Sequence, residues 1–505
     1  MGYWVGKLKK ITYSFPIVII VSLLTQLFGL GKTLILAKNF GANGTLDAFY
    51  LANTFTISVF TIVGSSIMTV VIPSLNEHIE WEEVKKSVES YTFIVKLISI
   101  AVSVLLFVVL FLGINIVAPK FSTQNKELFI VMTAILLISQ QFKIQASMQT
   151  SFSQNEGMYI MPKVLDIIPY AIPFLYLIVT PKMSIIALTI FVGISYALET
   201  IVFNYIQKRI NPKYTLKLKF KLTSRVRSML LDTIPILISS TVFQIQILIS
   251  NYFAGTFGKG YITLLSNTNQ IMGIFQSLFV VNLINMIYPR LVKDLKDDFI
   301  RGLQKVDKYI SLTNLVIVIL IWGFLATGQD LVNVLFVRGA FSHNDARIVF
   351  NFCVVIGIVI QFDVIRDYFY RIFYARGDTK TPMLNSINTV LFNVIFLVIL
   401  ANVIGPISIV LAPACGTIYS LVSISIRMNK ARILPNLRAI LKRLLLMNLA
   451  GAAMYLLIKM INIDFHSSLI NLLINICIGA VFIGILGLVS YVGYKTVQKR
   501  RNLEK

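Results

Sequence analysis

Lys32, Lys143, Asp166 and Glu199, together with the quartet Asp363, Arg366, Asp367 and Arg371, stand inside long apolar runs. A charge at the centre of a bilayer costs about 2.5–3.5 kcal/mol, so each must face a partner or a water-filled cavity rather than lipid. Within the quartet, the i,i+3 and i,i+4 spacings allow ion pairing along one helical face. A structural ladder and a set facing a cargo both fit that spacing. Lys32 has no acid close by in its own run. A cation of that kind suits an anionic head group, or else it snorkels to the interface. Gln26 precedes it, and Asp47 follows the turn Gly41-Ala-Asn-Gly44, where an acid also caps a helix start. Asn267, Asn269, Gln270 and Gln276 put amides in a later run, suited to sugar hydroxyls or to joining helices. Lys143, Glu199, Asp363, Asp367 and Arg371 are candidates for ion pairing or ion coupling, and Lys32, Gln26, Asp47, Asn269, Gln270 and Arg366 for contacting a bound molecule.

Nothing in the chain has the spacing of a catalytic motif. There is no Walker A run, no HExxH and no nucleophile elbow. His78, His343 and His466 are scattered, and Cys353, Cys415 and Cys477 lie at no metal-ligand spacing. The expectation is a protein without catalysis, metal or bound cofactor. Any work it does draws on an ion gradient, the membrane potential or the gradient of its cargo.

The elements that must position these residues follow from composition. The chain of 505 residues is 56% hydrophobic and 13% charged, about half the charged share of a soluble domain. Spans of roughly 20 apolar residues divide it into about 14 transmembrane helices. The first run, from Ile11 to Ala37, is too long for a cleaved leader and is expected to remain as a span. The net charge of +24 comes largely from short segments between spans, which points to membrane topology and away from nucleic acid. Lys7, Lys9 and Lys10 share a side with Lys208–Arg227, Arg290–Lys308, Arg427–Arg443 and Lys495–Lys505, so both termini are expected in the cytoplasm.

The chain also repeats itself. SFPIVII around Pro16 is echoed by TIPILIS around Pro235, and IPSL ending at Leu75 by YPRL ending at Leu291. Parallel repeats of six spans are an arrangement of rocking transporters. The expected architecture is all-α and polytopic, with two pseudo-symmetric six-helix lobes plus two extra C-terminal helices. Residues 1–206 form the first lobe, 207–228 a basic linker, 229–428 the second lobe, and 429–505 an amphipathic linker, two spans and a basic tail. Lys208–Arg227 reads as a topology-setting linker, a short strand or a segment on the anionic leaflet. Ala431–Leu445 is amphipathic and basic, and is expected in the interface ahead of the thirteenth span.

GLGKTLILAKNFGANGTLDAFYLA (Gly29–Ala52), VLFVRGAFSHNDA (Val334–Ala346) and FYARGDTKTP (Phe373–Pro382) resemble the motifs of the MurJ (MviN) family, in the multidrug/oligosaccharidyl-lipid/polysaccharide exporter superfamily. The resemblance implies a bacterial flippase for lipid II, the undecaprenyl-pyrophosphate-linked peptidoglycan precursor, with the last two spans forming a groove for the lipid tail. It also implies cavity arginines that meet the pyrophosphate. Here those positions are filled by Gln26 and Lys32 in the first span, fall near Val59 and Phe60 in the second, and reach Gln270, beside Asn269, in the eighth. Asp47 keeps the family's acid, and Arg366 its basic position in the tenth span. Arginine holds phosphate bidentately, which neither lysine nor glutamine reproduces. The expected cargo is therefore lipid II, or in a sibling role a lipid-linked unit of a capsular or surface polysaccharide. An ion-coupled small-molecule antiporter and a scaffold for cell-wall synthesis enzymes are the readings from other classes. The expected partners are the lipid-linked saccharide, membrane lipids and cell-wall enzymes, for a monomer in the bacterial cytoplasmic membrane.

Overall fold

The computed structural model describes residues 2–75, 80–180, 182–210, 220–461 and 467–484. His78, His466, residues 211–219 of the basic linker and the tail Lys495–Lys505 lie outside the described residues. So do the side chains of Lys7, Lys9, Lys10, Pro16, Val59, Pro235 and Pro289.

The elements run α1 Gly2–Phe40, α2 Gly44–Leu75, α3 Trp81–Leu112, the single turn α4 Ile114–Val117, and α5 Thr123–Asn155. Then come α6 Ile160–Leu165, α7 Ile168–Val179, α8 Ile185–Ile210, α9 Ser224–Phe257, α10 Tyr261–Phe275 and α11 Asn282–Asp297, with a π-helical segment Gln276–Val281 before α11. The rest are α12 Phe299–Phe336, α13 His343–Ala375, α14 Lys380–Ile404, α15 Ser408–Lys430, α16 Leu437–Ile461 and α17 Ser468–Gly484. No strand occurs among the described residues. Among the described residues, eleven helical stretches are long and apolar enough to cross a membrane. One of them, Lys380–Lys430, is broken at Gly405, whose φ of 67° is open to glycine and strained for other residues. Its parts α14 and α15, of 25 and 23 residues, each exceed the roughly 20 residues that a hydrocarbon core requires. The shorter apolar helix α17 adds to these.

Helix ends are set by side-chain chemistry that recurs along the chain. Ser122 caps α5 by accepting from the Asn125 amide, and Ser342 caps α13 by accepting from the Asp345 amide. Asp345 returns the contact to the Ser342 amide at 3.0 Å, completing a capping box. Both helices are 33 residues long, and each gives way to a glycine at φ 78°, Gly157 and Gly377. The two caps and the two glycines are each 220 positions apart. This parallel in local structure accompanies the repeat read from the proline-centred segments.

Packing follows the logic of a lipid solvent. The α3 face turned inward carries Thr92, Val95, Ser99 and Ser103, while Leu105, Val109 and Leu112 are exposed. Hydrocarbon is as apolar as leucine, so helices associate through close packing and hydrogen bonds, not through burial of apolar area. Thr92 and Ser103 return their protons to the preceding turn, to the Val88 carbonyl at 2.6 Å and the Ser99 carbonyl at 2.8 Å, while Ser99 donates to Gln141 on α5 at 3.2 Å.

The chain divides into two compact units. Unit 1 comprises Met1–Ile274 and Ser386–Gly416, and unit 2 comprises Phe275–Asn385 and Thr417–Lys505. In unit 1, Phe60, Tyr91, Met148, Phe152 and Met229 share a buried cluster. In unit 2, Trp322 and Tyr455 pack against Ala326, Met454 and Ile458. The segment Ala431–Leu445 differs from its expected form. Its basic part is the beginning of α16 itself, and Arg443 reaches Asp307 of α12 at 3.0 Å. That pairing ties the first turns of α16 to α12.

Candidate functional site

The first group of candidate residues lies on α1 in unit 1. Gly29 and Gly31 leave that helix without side chains on two flanks. A β-carbon at position 29 would stand 3.2 Å from the Gln270 amide nitrogen and 3.3 Å from the Tyr170 ring. One at position 31 would run into the Phe174 ring. Through this pair of glycines, α7 and α10 approach α1 closely, and Phe174 meets Phe28 edge-on at 5.5 Å between centroids. One turn from Gly29, Gln270 donates its Nε2 to Gln26 Oε1 at 3.4 Å. Lys32 is half-buried and makes no hydrogen bond or ion pair with any described residue. Asn269, next to Gln270, is exposed, whereas Asn267 is buried and neither of its amide atoms has a partner among the described residues.

Asp47 occupies a different environment. It is fully buried, and both oxygens are engaged. Oδ2 accepts from the Gly260 amide at 2.5 Å, and Oδ1 from the Thr263 amide and the Thr263 hydroxyl, each at 2.8 Å. Those amides belong to the first turn of α10, where backbone donors lack intrahelical partners. The cap of α2 itself is Asn43, whose Oδ1 accepts from the Leu46 amide at 3.0 Å. Asp47 therefore caps another helix, and both of its oxygens are engaged in an internal link. Gly260 makes the link feasible, because a side chain there would press to 2.7 Å from the Ala42 carbonyl.

A third group surrounds Lys143 on α5. Its Nζ lies over the Tyr196 ring at 5.1 Å. Glu199, Tyr196, Asp166 and Tyr170 all contribute to the electrostatics around it. Glu199 is 2% exposed, and its Oε2 has no hydrogen-bond partner among the described residues. Asp166 also pairs with Lys163 at 3.2 Å. These groups couple α5, α6, α7 and α8 within unit 1.

The quartet on α13, in unit 2, resolves into two pairs. Arg366 meets Asp363 at 2.9 Å, and Arg371 meets Asp367 at 3.0 Å. Thr417 donates to Asp363 at 3.3 Å, and Arg371 lies 4.3 Å from the Tyr288 ring centroid. Arg366 also faces the Tyr370 ring, while Tyr370 joins Asn385 and Ser420 in a buried network with bonds of 2.8–3.2 Å. Of the two readings open for the quartet, these contacts are those of self-pairing along the helix. Among the described residues no group of His, Cys, Asp and Glu has the arrangement of a metal site.

The family model described as "Lipid II flippase MurJ" matches residues 36–477. The chain belongs to the MurJ family. The probable lipid II flippase MurJ of Rhizobium tropici is 27% identical over 199 residues, which is 38% of this chain and 36% of that protein. The one from Buchnera aphidicola subsp. Baizongia pistaciae is 23% identical over 399 residues, or 75% of this chain and 76% of that protein. The matched part thus spans about a third of the Rhizobium relative's length. A solved structure, lipid II flippase MurJ in an inward closed conformation, shares the fold with a TM-score of 0.80 at 21% identity, covering 93% of this chain and 98% of that one. A MurJ-family chain of this kind is a multi-span membrane protein of a transporter family, not of a family of enzymes.

Gln26 and Gln270, which lie 244 residues apart, meet within this family scaffold. Tyr170, Phe174, Gly260 and Thr263 escape a reading of the sequence. The signal that could reveal the first two is the spacing Gly29-Leu-Gly31, which marks where another helix comes close.

Proposed function

We propose that this MurJ-family chain carries lipid II across the bacterial cytoplasmic membrane by alternating access, with both termini in the cytoplasm. The observation that carries the reading is the family match over residues 36–477. Lys32 serves as the anion contact, since a half-buried cation with no counter-ion among the described residues is costly in a span unless something negative visits it. Gln26, Gln270 and the exposed Asn269 offer amide donors and acceptors to sugar groups beside it. Arg366 is already paired with Asp363, so it contributes to anion binding only by exchanging that partner. Asp47 acts by positioning α10. No cofactor is required. An ion or the membrane potential supplies the work, with Lys143 and Glu199 as the coupling groups. The partners are the lipid-linked saccharide and membrane lipids, with cell-wall synthesis enzymes nearby, and the chain works as a monomer.

A second cargo is favoured by one specific observation. The Gln26–Gln270 pair holds two neutral amides where the resemblance implies arginines, which suits a lipid-linked surface polysaccharide unit with less demand for phosphate contacts. Expression of this chain in cells depleted of their own lipid II flippase decides between the two. Restored growth supports lipid II. Failure there, with rescue of a polysaccharide flippase mutant, overturns it in favour of the second cargo.

A further inference from the structure

We propose that α7 couples the cargo contacts on α1 to the ion-coupling groups on α5 and α8, with Tyr170 as the positioning residue between them. The inference rests on the reading of the chain as a carrier driven by an ion or the membrane potential. It deepens that reading by naming the physical link inside unit 1.

An aromatic pair packs α7 to each of its two neighbours. On the α1 side Phe174 meets Phe28 edge-on. On the α8 side Tyr176 stacks on Phe191, with 4.5 Å between centroids and 21° between planes. Tyr170 stands one turn before Phe174, where Gly29 leaves α1 without a side chain. A β-carbon at Gly29 would meet the Gln270 amide at 3.2 Å and the Tyr170 ring at 3.3 Å. The amide that joins Gln26 and the Tyr170 ring therefore share one point on α1. The surroundings of Tyr170 also reach the other group, because Tyr196, Lys143 and Asp166 all act on it electrostatically. Lys143 is seated over the Tyr196 ring. Tyr196 is one turn from Glu199, on which Lys143 and Asp166 act in the same way.

The backbone of α7 suits a part that moves. Pro169 has no amide for the Leu165 carbonyl, and Pro173 has none for the Pro169 carbonyl, so two successive rungs of the helical ladder are missing. The helix is interrupted between Leu165 and Ile168, and Asp166 stands in that interruption. A displacement of Gln26 or Gln270 toward a head group changes what Tyr170 rests on. A helix with few backbone ties passes the shift on to the field around Lys143 and Glu199. The effect is reciprocal, so a change of charge at Lys143 and Glu199 alters how Tyr170 presses on Gly29. A tyrosine that only filled space beside α1 would leave the two groups independent.

The test is a mutant cycle in the full chain, read as lipid II flipping in proteoliposomes under an imposed potential. Gln270→Ala and Lys143→Met are made singly and together, in the unmodified background and with Tyr170→Phe. That variant keeps the ring against Gly29 and removes the hydroxyl. In the unmodified background the double variant is expected to depart about fivefold or more from the product of the single effects. With Tyr170→Phe the effects are expected to multiply. Effects that multiply in both backgrounds, or a departure that survives both Tyr170→Phe and Tyr170→Leu, overturn the proposal. A second measurement is independent of the cargo. With fluorotyrosine at position 170 of the chain in lipid nanodiscs, the fluorine resonance is expected to shift in Gln270→Ala and in Lys143→Met. A resonance that answers to one of them alone also overturns the link. If the unmodified chain moves no lipid II while the resonance answers to both, the cargo reading fails and the link stands. If it moves lipid II and the effects multiply, the link alone fails.

Discussion

Gln270 donates its amide to Gln26 at 3.4 Å, joining α10 to α1 one turn below the glycines that let the helices meet. The bond is long, and both side chains keep donors or acceptors for other partners. It sits on the same helix as Lys32, which makes the two positions separable by mutation.

Lys32→Ala is expected to lower flippase activity at least tenfold while leaving protein levels in the membrane unchanged. Adding Gln270→Arg to that variant should restore part of the loss, because a guanidinium returns a cation to the α1–α10 contact. Growth of flippase-depleted cells, scored beside an immunoblot of membranes, checks both. Full activity of Lys32→Ala would remove Lys32 from the site.

Asp47→Ala should cost about 3 kcal/mol of stability, because three hydrogen bonds to one buried carboxylate disappear and two helix-start amides lose their acceptor. Asp47→Asn keeps one acceptor oxygen and should lose less. Thermal unfolding of the purified protein in detergent measures the order. Equal stability of wild type and Asp47→Ala would contradict the link to α10.

The Asp363–Arg366 pair can be weighed with a double-mutant cycle. Asp363→Ala leaves the guanidinium unpaired, so it should destabilise more than Asp363→Ala/Arg366→Ala, with a coupling of about 1–3 kcal/mol. Additive effects in the same unfolding assay would mean that the pair holds nothing together.

Outside the spans, Asp378 precedes α14 and accepts from the Thr381 amide at 3.0 Å and the Thr381 hydroxyl at 2.7 Å. The backbone bond first, and the hydroxyl second, hold its carboxyl below the usual carboxylate range. The folded state therefore binds fewer protons than the unfolded chain, whose value is about 3.9. The contribution is complete above that unfolded value and is lost as pH falls through the folded one. Asp378→Ala should be less stable than wild type at neutral pH, and the gap should narrow in acid. A gap that is constant with pH would exclude the carboxylate as its source.

Much of the fold is legible in the sequence because the lipid solvent imposes one rule on every span. Lys380–Lys430 is legible too, since its apolar run is long enough for two spans and the Gly405-Pro406 pair marks in the sequence where it divides. At the level of the site, the α13 pairs are legible because their partners are one turn apart on one helix. Asp47 is not legible in the same way. Its partners lie 213 and 216 positions away, and a local reading offers it only the cap of its own helix. Gln26 is legible as a polar residue in a span, but its pairing with Gln270 follows only from the close approach of α10 to α1. The basic stretch at Ala431–Leu445 has a surface pattern until Asp307 on α12 supplies a counter-charge.

The matched ends of α5 and α13 carry a consequence for descent. If one ancestral half was copied, most of its letters have since been free to drift, because a lipid-facing position accepts almost any large apolar side chain. Helix ends have no such latitude: few residues can cap an exposed amide, and glycine alone turns left-handed at little cost. Ser122 with Ser342, and Gly157 with Gly377, are then the punctuation of a duplicated text whose words have been rewritten. Relatives too distant for their spans to be aligned would be recognised by the interval between such marks.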